Sequence, residues 1–223
     1  MNKKEHLYDL FKPTHYDVYL DINRETKTFN GKVTMEGEAV KPNIKFNEKF
    51  LNITAVKVNN EAVDFNVDDQ AETVAVNCGQ TGETTVEIEF DAQLTDTMMG
   101  IYPSYYEVNG EKKQIIGTQF ESTAARQAFP CIDEPEAKAT WDLAIKYDEK
   151  PGETILANMP EKECKDGVHY FETTKRMSSY LIAFAFGEMV SKHTKTDDGI
   201  KIGVYASPAH KEDELDFALD ITK

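Results

Sequence analysis

The chain is poor in the residues that would make its chemistry obvious. It has three cysteines, Cys78, Cys131 and Cys164, in 223 residues. An odd number without paired spacing excludes a disulfide framework, and the absence of Cys-x-x-Cys excludes a cysteine zinc site. The five histidines, His6, His15, His169, His193 and His210, lack the His-x-x-x-His spacing that sets two imidazoles on one helix face. Surface histidine is the expectation for all five. There is no Gly-x-Ser-x-Gly elbow for a nucleophile and no glycine loop for phosphate. Cys131, between Pro130 and Ile132, reads as a small buried apolar residue. Basic charge is short as well: 25 basic against 40 acidic residues leave a net charge of −15. That balance argues against nucleic acid or an anionic membrane surface as partner. No apolar run is long enough to span a bilayer, and the polar opening lacks the apolar segment of a signal peptide. With unpaired thiols, this gives a cytoplasmic location as the expectation. Internal repeats and low-complexity segments are also missing.

What is present is a period of two. Tyr16, Val18, Leu20 and Ile22 alternate with polar residues, and Val86, Ile88 and Phe90 do the same. Further short candidate strands cover residues 29–39, 44–46, 53–58, 63–67, 73–76, 101–108, 113–120, 140–147, 154–156 and 168–173. The turn clusters Asn59-Asn60, Asp68-Asp69, Cys78-Gly79-Gln80 and Asn109-Gly110 separate several of them. Asp68-Asp69 and Asp197-Asp198 read as turn formers, not as acid–base couples. The apolar run 180–186 reads as a strand buried on both faces. Short strands with polar turns predict an all-β, antiparallel sandwich. Residues 191–199 are polar and boundary-like. One more strand, 200–206, and a helix over 210–223, with Leu215 and Leu219 on its packed side, follow. A chain that stops inside a helix after such a boundary suggests a β domain of residues 1–190 and the truncated start of a second domain at 191–223.

The most unusual stretch lies between these strands: Thr118-Gln119-Phe120-Glu121-Ser122-Thr123-Ala124-Ala125-Arg126-Gln127-Ala128-Phe129-Pro130-Cys131-Ile132-Asp133-Glu134-Pro135-Glu136-Ala137-Lys138-Ala139. If the strand continues to residue 121, Gln119 and Glu121 share one face and Phe120 points to the core. A carboxamide beside a carboxylate can hold a group with several N–H donors, an α-ammonium for instance. Local chemistry by itself favours a plainer arrangement, in which Glu121 pairs with Arg126 or a nearby Lys and Gln119 is an exposed strand residue. Arg126 with Asp133 or Glu134 has the look of a turn held by an ion pair. Pro130 and Pro135 restrict their neighbours to extended backbone. Arg126, Phe129, Pro130, Asp133 and Pro135 are therefore read as structural. Tyr102, Tyr105 and Tyr106 could line a pocket, although packing is the commoner use of strand tyrosines.

This stretch closely resembles the signature segment of the aminopeptidase N family of zinc metallopeptidases. Pro13-Thr14-His15-Tyr16-Asp17, Gly100-Ile101-Tyr102 and Met177-Ser178-Ser179-Tyr180-Leu181-Ile182-Ala183-Phe184 resemble further family segments, so the resemblance spans essentially the whole chain. It implies a saddle-shaped N-terminal β domain that packs on a thermolysin-like catalytic domain. It implies that Gln119 and Glu121 line the pocket for the first substrate residue and bind its free amino group. A cis peptide at Glu121–Ser122 is implied too. The partners implied are peptides with a free N-terminus and the missing catalytic domain. The family's Gly-Ala-Met-Glu-Asn and His-Glu-x-x-His motifs and its oxyanion-stabilising tyrosine are absent and are expected beyond residue 223. Zinc is thus expected in the full-length enzyme, not on this fragment, which is expected to be inactive. A free-standing β-sandwich binding module, or a non-catalytic protein-interaction module, remains the alternative. The reading frame downstream of Lys223 separates the two.

Overall fold

A computed structural model describes residues 5–223; of the polar opening, residues 1–4 lie outside the described part. The backbone is organised by an eight-stranded sheet. Its order is Glu161–Lys165, Val168–Phe171, Thr140–Tyr147, Phe11–Asn23, Thr28–Ala39, Gly82–Gln93, Asn52–Val58 and Glu61–Ala62. The alternation seen in the sequence decides which side faces inward. Tyr16, Val18, Leu20 and Ile22 are all fully buried, opposite Met35, Val33, Gly31 and Phe29 of the neighbouring strand. Gly31 is required by a close approach: a Cβ there would stand 2.5 Å from Phe90 Cζ and 2.9 Å from the Tyr19 carbonyl oxygen.

Three smaller sheets complete the fold. One contains Glu153–Ala157, Phe184–Glu188, Glu111–Gln119 and Gly100–Val108; another contains Asn43–Asn47, Thr73–Asn77 and Phe65–Asp68; the last is a hairpin of Val190–Lys195 and Lys201–Ala206. The fold is all-β, with a single α-helix among the described residues, Asp216–Thr222, near the C-terminus. Among the described residues no helix is long and apolar enough to cross a membrane.

The structure corrects several details. The main sheet is not wholly antiparallel, because Phe11–Asn23 and Thr140–Tyr147 run parallel, with Val18 opposite Leu143. A parallel pair needs a long crossover. Here the chain leaves the sheet after Gln93, forms the Gly100–Val108 and Glu111–Gln119 hairpin, and returns through residues 120–139. The expected strand 63–67 begins only at Phe65, as Phe65–Asp68, and the short strand Glu61–Ala62 before it lies in a different sheet. The apolar run 180–186 is not one buried strand. Ser179–Leu181 is a 3-10 turn, Leu181 is exposed, and the strand begins at Phe184. The polar residues 191–199 are not merely a boundary, since Val190–Lys195 is a strand. Glu161–Lys165 was not anticipated; all its residues are exposed, so it carries no apolar alternation. The C-terminal helix is shorter than expected and follows a 3-10 turn at Glu212–Leu215, with Leu215 and Leu219 on its packed side. His169 is not a surface histidine: it is 6% exposed, whereas His6, His193 and His210 are exposed and His15 is half-buried.

Candidate functional site

The crossover segment is built in two parts. The strand Glu111–Gln119 ends at Gln119, short of the expected residue 120. Thr118 fixes that end: its hydroxyl donates to the Phe184 carbonyl at 3.2 Å and accepts the Phe184 N–H at 3.1 Å. Phe120 turns inward, 2% exposed, and meets Phe129 edge-on with centroids 5.8 Å apart. The Ala124 N–H then donates to the Phe120 carbonyl at 2.9 Å and closes a turn over Glu121, Ser122 and Thr123. The Glu121–Ser122 peptide is cis, as the resemblance implied. Gln119 and Glu121 are both exposed, and the Gln119 Nε2 donates to the Glu121 carbonyl at 3.4 Å. Burial therefore alternates through 119, 120 and 121 although the strand has ended.

The plainer pairing of Glu121 with Arg126 does not form. Arg126 Nε donates to Asp133 Oδ2 at 3.0 Å, and Arg126 Nη1 donates to Glu72 Oε2 at 3.0 Å. Among the described residues no basic side chain lies within ion-pair distance of Glu121. Its carboxylate faces solvent.

The second part is the anchor. Arg126 and Asp133 are 8% and 3% exposed. Burial disfavours the Arg126 guanidinium, but the hydrogen bond and charge of Asp133 outweigh it and raise its pKa. The other oxygen of Asp133 accepts the Ser179 hydroxyl at 2.7 Å, and the Asp133 N–H donates to Asn47 Oδ1 at 2.9 Å. Asn47 and Cys131 exchange backbone hydrogen bonds at 2.7 and 3.1 Å. The Ile132 N–H donates to the Tyr16 hydroxyl at 3.1 Å. Burial raises the Tyr16 phenol well above its ordinary pKa, so it stays protonated. Ser178 donates to the Pro135 carbonyl at 2.6 Å, and Glu134 accepts the Leu7 N–H at 2.8 Å. The segment is thus tied to the Leu7–Asp9 turn, the main sheet, the three-stranded sheet and the turn at Ser179. Phe129, fully buried, packs on Trp141 at 5.6 Å, and Trp141 stacks on Tyr16 at 3.9 Å with rings 6° apart. Of the residues read as structural, Arg126, Phe129, Pro130 and Asp133 are buried in this anchor, whereas Pro135 is exposed and contributes its carbonyl to Ser178. Of the two ion-pair partners weighed for Arg126, Asp133 is used, whereas Glu134 accepts the Leu7 and Tyr8 N–H groups.

Sequence reasoning missed the anchor's remote members, Asn47, Glu72, Ser178, Ser179 and Lys49, whose N–H donates to the Arg126 carbonyl at 2.9 Å. Nothing near them in the sequence signals the role. Cys131 is fully buried, and burial raises its thiol pKa well above the ordinary value, so it is inert packing. Tyr105 and Tyr106, but not Tyr102, line a cavity of about 380 Å³ on another side of the hairpin.

Two groups of ligand-capable side chains occur among the described residues, and neither has the His-Glu-x-x-His pattern that the resemblance implies for the catalytic zinc. One of two candidate groups, His6 with Glu134 and Glu136, is compromised because Glu134 already accepts the Leu7 and Tyr8 N–H groups. The other, Glu161 with Cys164 and His169, lies at the far edge of the main sheet.

Comparison with known proteins bears on the whole chain. Residues 12–181 match the family model described as "Peptidase M1 N-terminal domain". The chain is 59% identical over 217 residues to aminopeptidase N of Lactobacillus helveticus, covering 97% of this chain and 26% of the relative. It is 51% identical over 215 residues to aminopeptidase N of Lactococcus lactis subsp. cremoris, covering 96% and 25%. It is 33% identical over 234 residues to mouse endoplasmic reticulum aminopeptidase 1, again covering 96% and 25%. The chain therefore spans about a quarter of the length of the curated relatives it matches.

Proposed function

Because the chain belongs to the peptidase M1 N-terminal domain family, we propose that it is the substrate-recognition domain of a zinc aminopeptidase that removes N-terminal residues from peptides. In this reading Glu121 receives the substrate's α-ammonium and Gln119 assists beside it. The observation that carries it is the exposed Glu121 carboxylate, which has no cationic partner among the described residues and is raised on a turn whose two ends are buried. A peptide α-ammonium supplies the missing positive charge. Charge-assisted hydrogen bonds of this kind contribute about 1.5–3 kcal/mol each. A substrate with a blocked amine leaves the carboxylate unmatched, which gives the site its preference for free N-termini.

The division of the chain at about residue 190 belongs to the same proposal. It is supported by the family match ending at residue 181, before the Val190–Lys195 and Lys201–Ala206 hairpin and the helix. The hairpin and helix begin the catalytic domain, and the zinc ligands, the exopeptidase loop and the oxyanion tyrosine are supplied by sequence following residue 223. Zinc in that domain would polarise the scissile carbonyl and activate water. The residues of this chain bind and orient the substrate's amino end. A cytoplasmic location accompanies this reading, on the strength of the unpaired thiols.

The test uses the full-length enzyme and two peptides that differ only in an N-acetyl cap. The native enzyme prefers the free peptide strongly, and Glu121→Gln narrows that preference by slowing the free peptide alone. An unchanged preference in a folded Glu121→Gln enzyme removes the role from Glu121.

A further inference from the structure

At the outer edge of the main sheet, away from the crossover, a hairpin joins Glu161–Lys165 to Val168–Phe171. The turn is Asp166-Gly167, with φ of 53° and 77°. Positive φ at both central residues is the geometry that locks hairpin register. That register sets Cys164 directly opposite His169 and Glu161 opposite Phe171. In an unbroken strand, residues 161 and 164 would point to opposite faces. The register shifts between Glu161 and Glu163, and this irregularity restores Glu161 to the face that carries Cys164 and His169.

The result is a cluster of a carboxylate, a thiol and an imidazole whose ligand atoms all lie within 4.8 Å of one another. Glu161 Oε1 is 3.1 Å from His169 Nδ1, Cys164 Sγ is 4.0 Å from His169 Nε2, and Glu149 Oε2 is 3.6 Å from Nε2. Ligand atoms across a tetrahedral zinc ion stand about 3.3–3.7 Å apart, given bonds of about 2.0–2.3 Å. The cluster has nearly that size. The 3.6 Å approach of Glu149 is too long for a hydrogen bond. His169 is held in place: its side chain is 7% exposed and its ring lies against Tyr147 at 5.4 Å. Glu161 and Cys164 are exposed, so an ion has a way in. With the ion on Nδ1 beside Glu161, Nε2 faces the Glu149 carboxylate, the arrangement that orients metal-bound histidines.

We propose that Cys164, His169 and Glu161 form a second metal site, for a borderline-soft divalent cation of the zinc class. A thiolate with an imidazole selects such ions over magnesium or calcium. On binding, the Cys164 thiol gives its proton to solvent and the thiolate ligates the ion. The ion would staple the exposed edge strand Glu161–Lys165 to its neighbour and block that edge from pairing with another chain.

The test is a Co²⁺ titration of the reduced, metal-free 223-residue chain, followed by optical absorption. One equivalent of Co²⁺ gives a thiolate-to-cobalt charge-transfer band, and Zn²⁺ displaces it. Cys164→Ser, an exposed change, abolishes the band, whereas Cys78→Ser leaves it intact. Glu161→Gln weakens Co²⁺ binding by about tenfold or more. His169→Gln removes the tight site, with circular dichroism confirming that the chain stays folded. Absence of the band, or its survival in Cys164→Ser, overturns the proposal. So does a band lost in Cys164→Ser but indifferent to both His169→Gln and Glu161→Gln, which would mark adventitious thiol binding.

Discussion

Asp133 reaches back seven residues to accept the Arg126 Nε–H at 3.0 Å, and both residues are buried. The remaining Asp133 oxygen is occupied by Ser179 and the outer Arg126 nitrogen by Glu72, so neither charge is left bare. Removing one member of a buried pair strands the other. Asp133→Ala is therefore expected to cost about 3–5 kcal/mol, read as a fall in the urea midpoint at unchanged slope. Glu72→Ala, at the exposed end of the same network, should cost about 1 kcal/mol or less. Equal losses at the two positions would contradict the anchor described here.

The same network sets a pH dependence. Hydrogen bonding from Lys49 chiefly lowers the Glu72 pKa below its ordinary 4.5; burial opposes the lowering and Arg126 adds to it. Unfolded, Glu72 titrates at its ordinary value. In acid the unfolded chain then binds more protons at this group than the folded one does. The stabilisation is present above the ordinary carboxylate range and is lost as pH falls through the lowered folded value. In unfolding curves at a series of pH values, Glu72→Gln should lose most relative to the native chain near neutrality. The gap should close below pH 4.5. A gap that stays constant with pH would refute this.

The parts legible in the sequence were those whose cause is local. Tyr16, Val18, Leu20 and Ile22 announce a half-buried strand because every second residue must meet the core. Glu161–Lys165 was illegible because neither face is buried, so its pairing with Val168–Phe171 leaves no apolar trace. The run 180–186 misled because its composition is apolar while its backbone is bent. The Ser178 and Ser179 hydroxyls are spent on Pro135 and Asp133, and the turn that follows exposes Leu181. In the crossover, the Arg126–Asp133 pair is a seven-residue relationship and could be read. Asn47 and Glu72 act from 86 and 54 residues away and could not. Only the family resemblance, not local chemistry, pointed to Glu121.

Gly31 sits between Leu20 and Phe90 across two strand pairings. An added Cβ would lie 2.5 Å from Phe90 Cζ and 2.9 Å from Leu20 Cδ2. Those distances are well inside van der Waals contact, so the rings and strands must shift. Gly31→Ala is expected to cost about 1–3 kcal/mol in chemical denaturation. Shortening the obstructing ring should relieve it, so Phe90→Leu should cost less in the Gly31→Ala background than in the native one. Strict additivity would refute the clash.

Tyr16 joins the main sheet to the crossover through one hydroxyl, which accepts the buried Ile132 N–H at 3.1 Å. Tyr16→Phe keeps the ring stack on Trp141 and leaves that N–H without a partner. The expected loss is about 1–3 kcal/mol. The chain has one tryptophan, so Trp141 emission reports directly on this layer during urea unfolding. Trp141 is fully buried, and its native emission should resist acrylamide in both proteins. A Tyr16→Phe chain as stable as the native one would show that the Ile132 N–H is satisfied some other way.

The proposed recognition role separates Glu121 from its neighbour by charge. Gln119 can offer a neutral hydrogen bond to a substrate's amino end, worth about 0.5–1.5 kcal/mol. Glu121 offers a charge-assisted one, so Glu121→Ala in the full-length enzyme should lower kcat/KM by about 2–4 kcal/mol equivalent, roughly 30- to 900-fold. Gln119→Ala should lower it by about 2- to 13-fold. Both residues are exposed in this domain, so neither change should move its unfolding midpoint by more than about 0.5 kcal/mol. Steady-state kinetics with an unblocked peptide, paired with denaturation of the same preparations, reads both quantities. A Glu121→Ala enzyme that loses less than tenfold, or whose loss is matched by unfolding, would return Glu121 to an ordinary surface position.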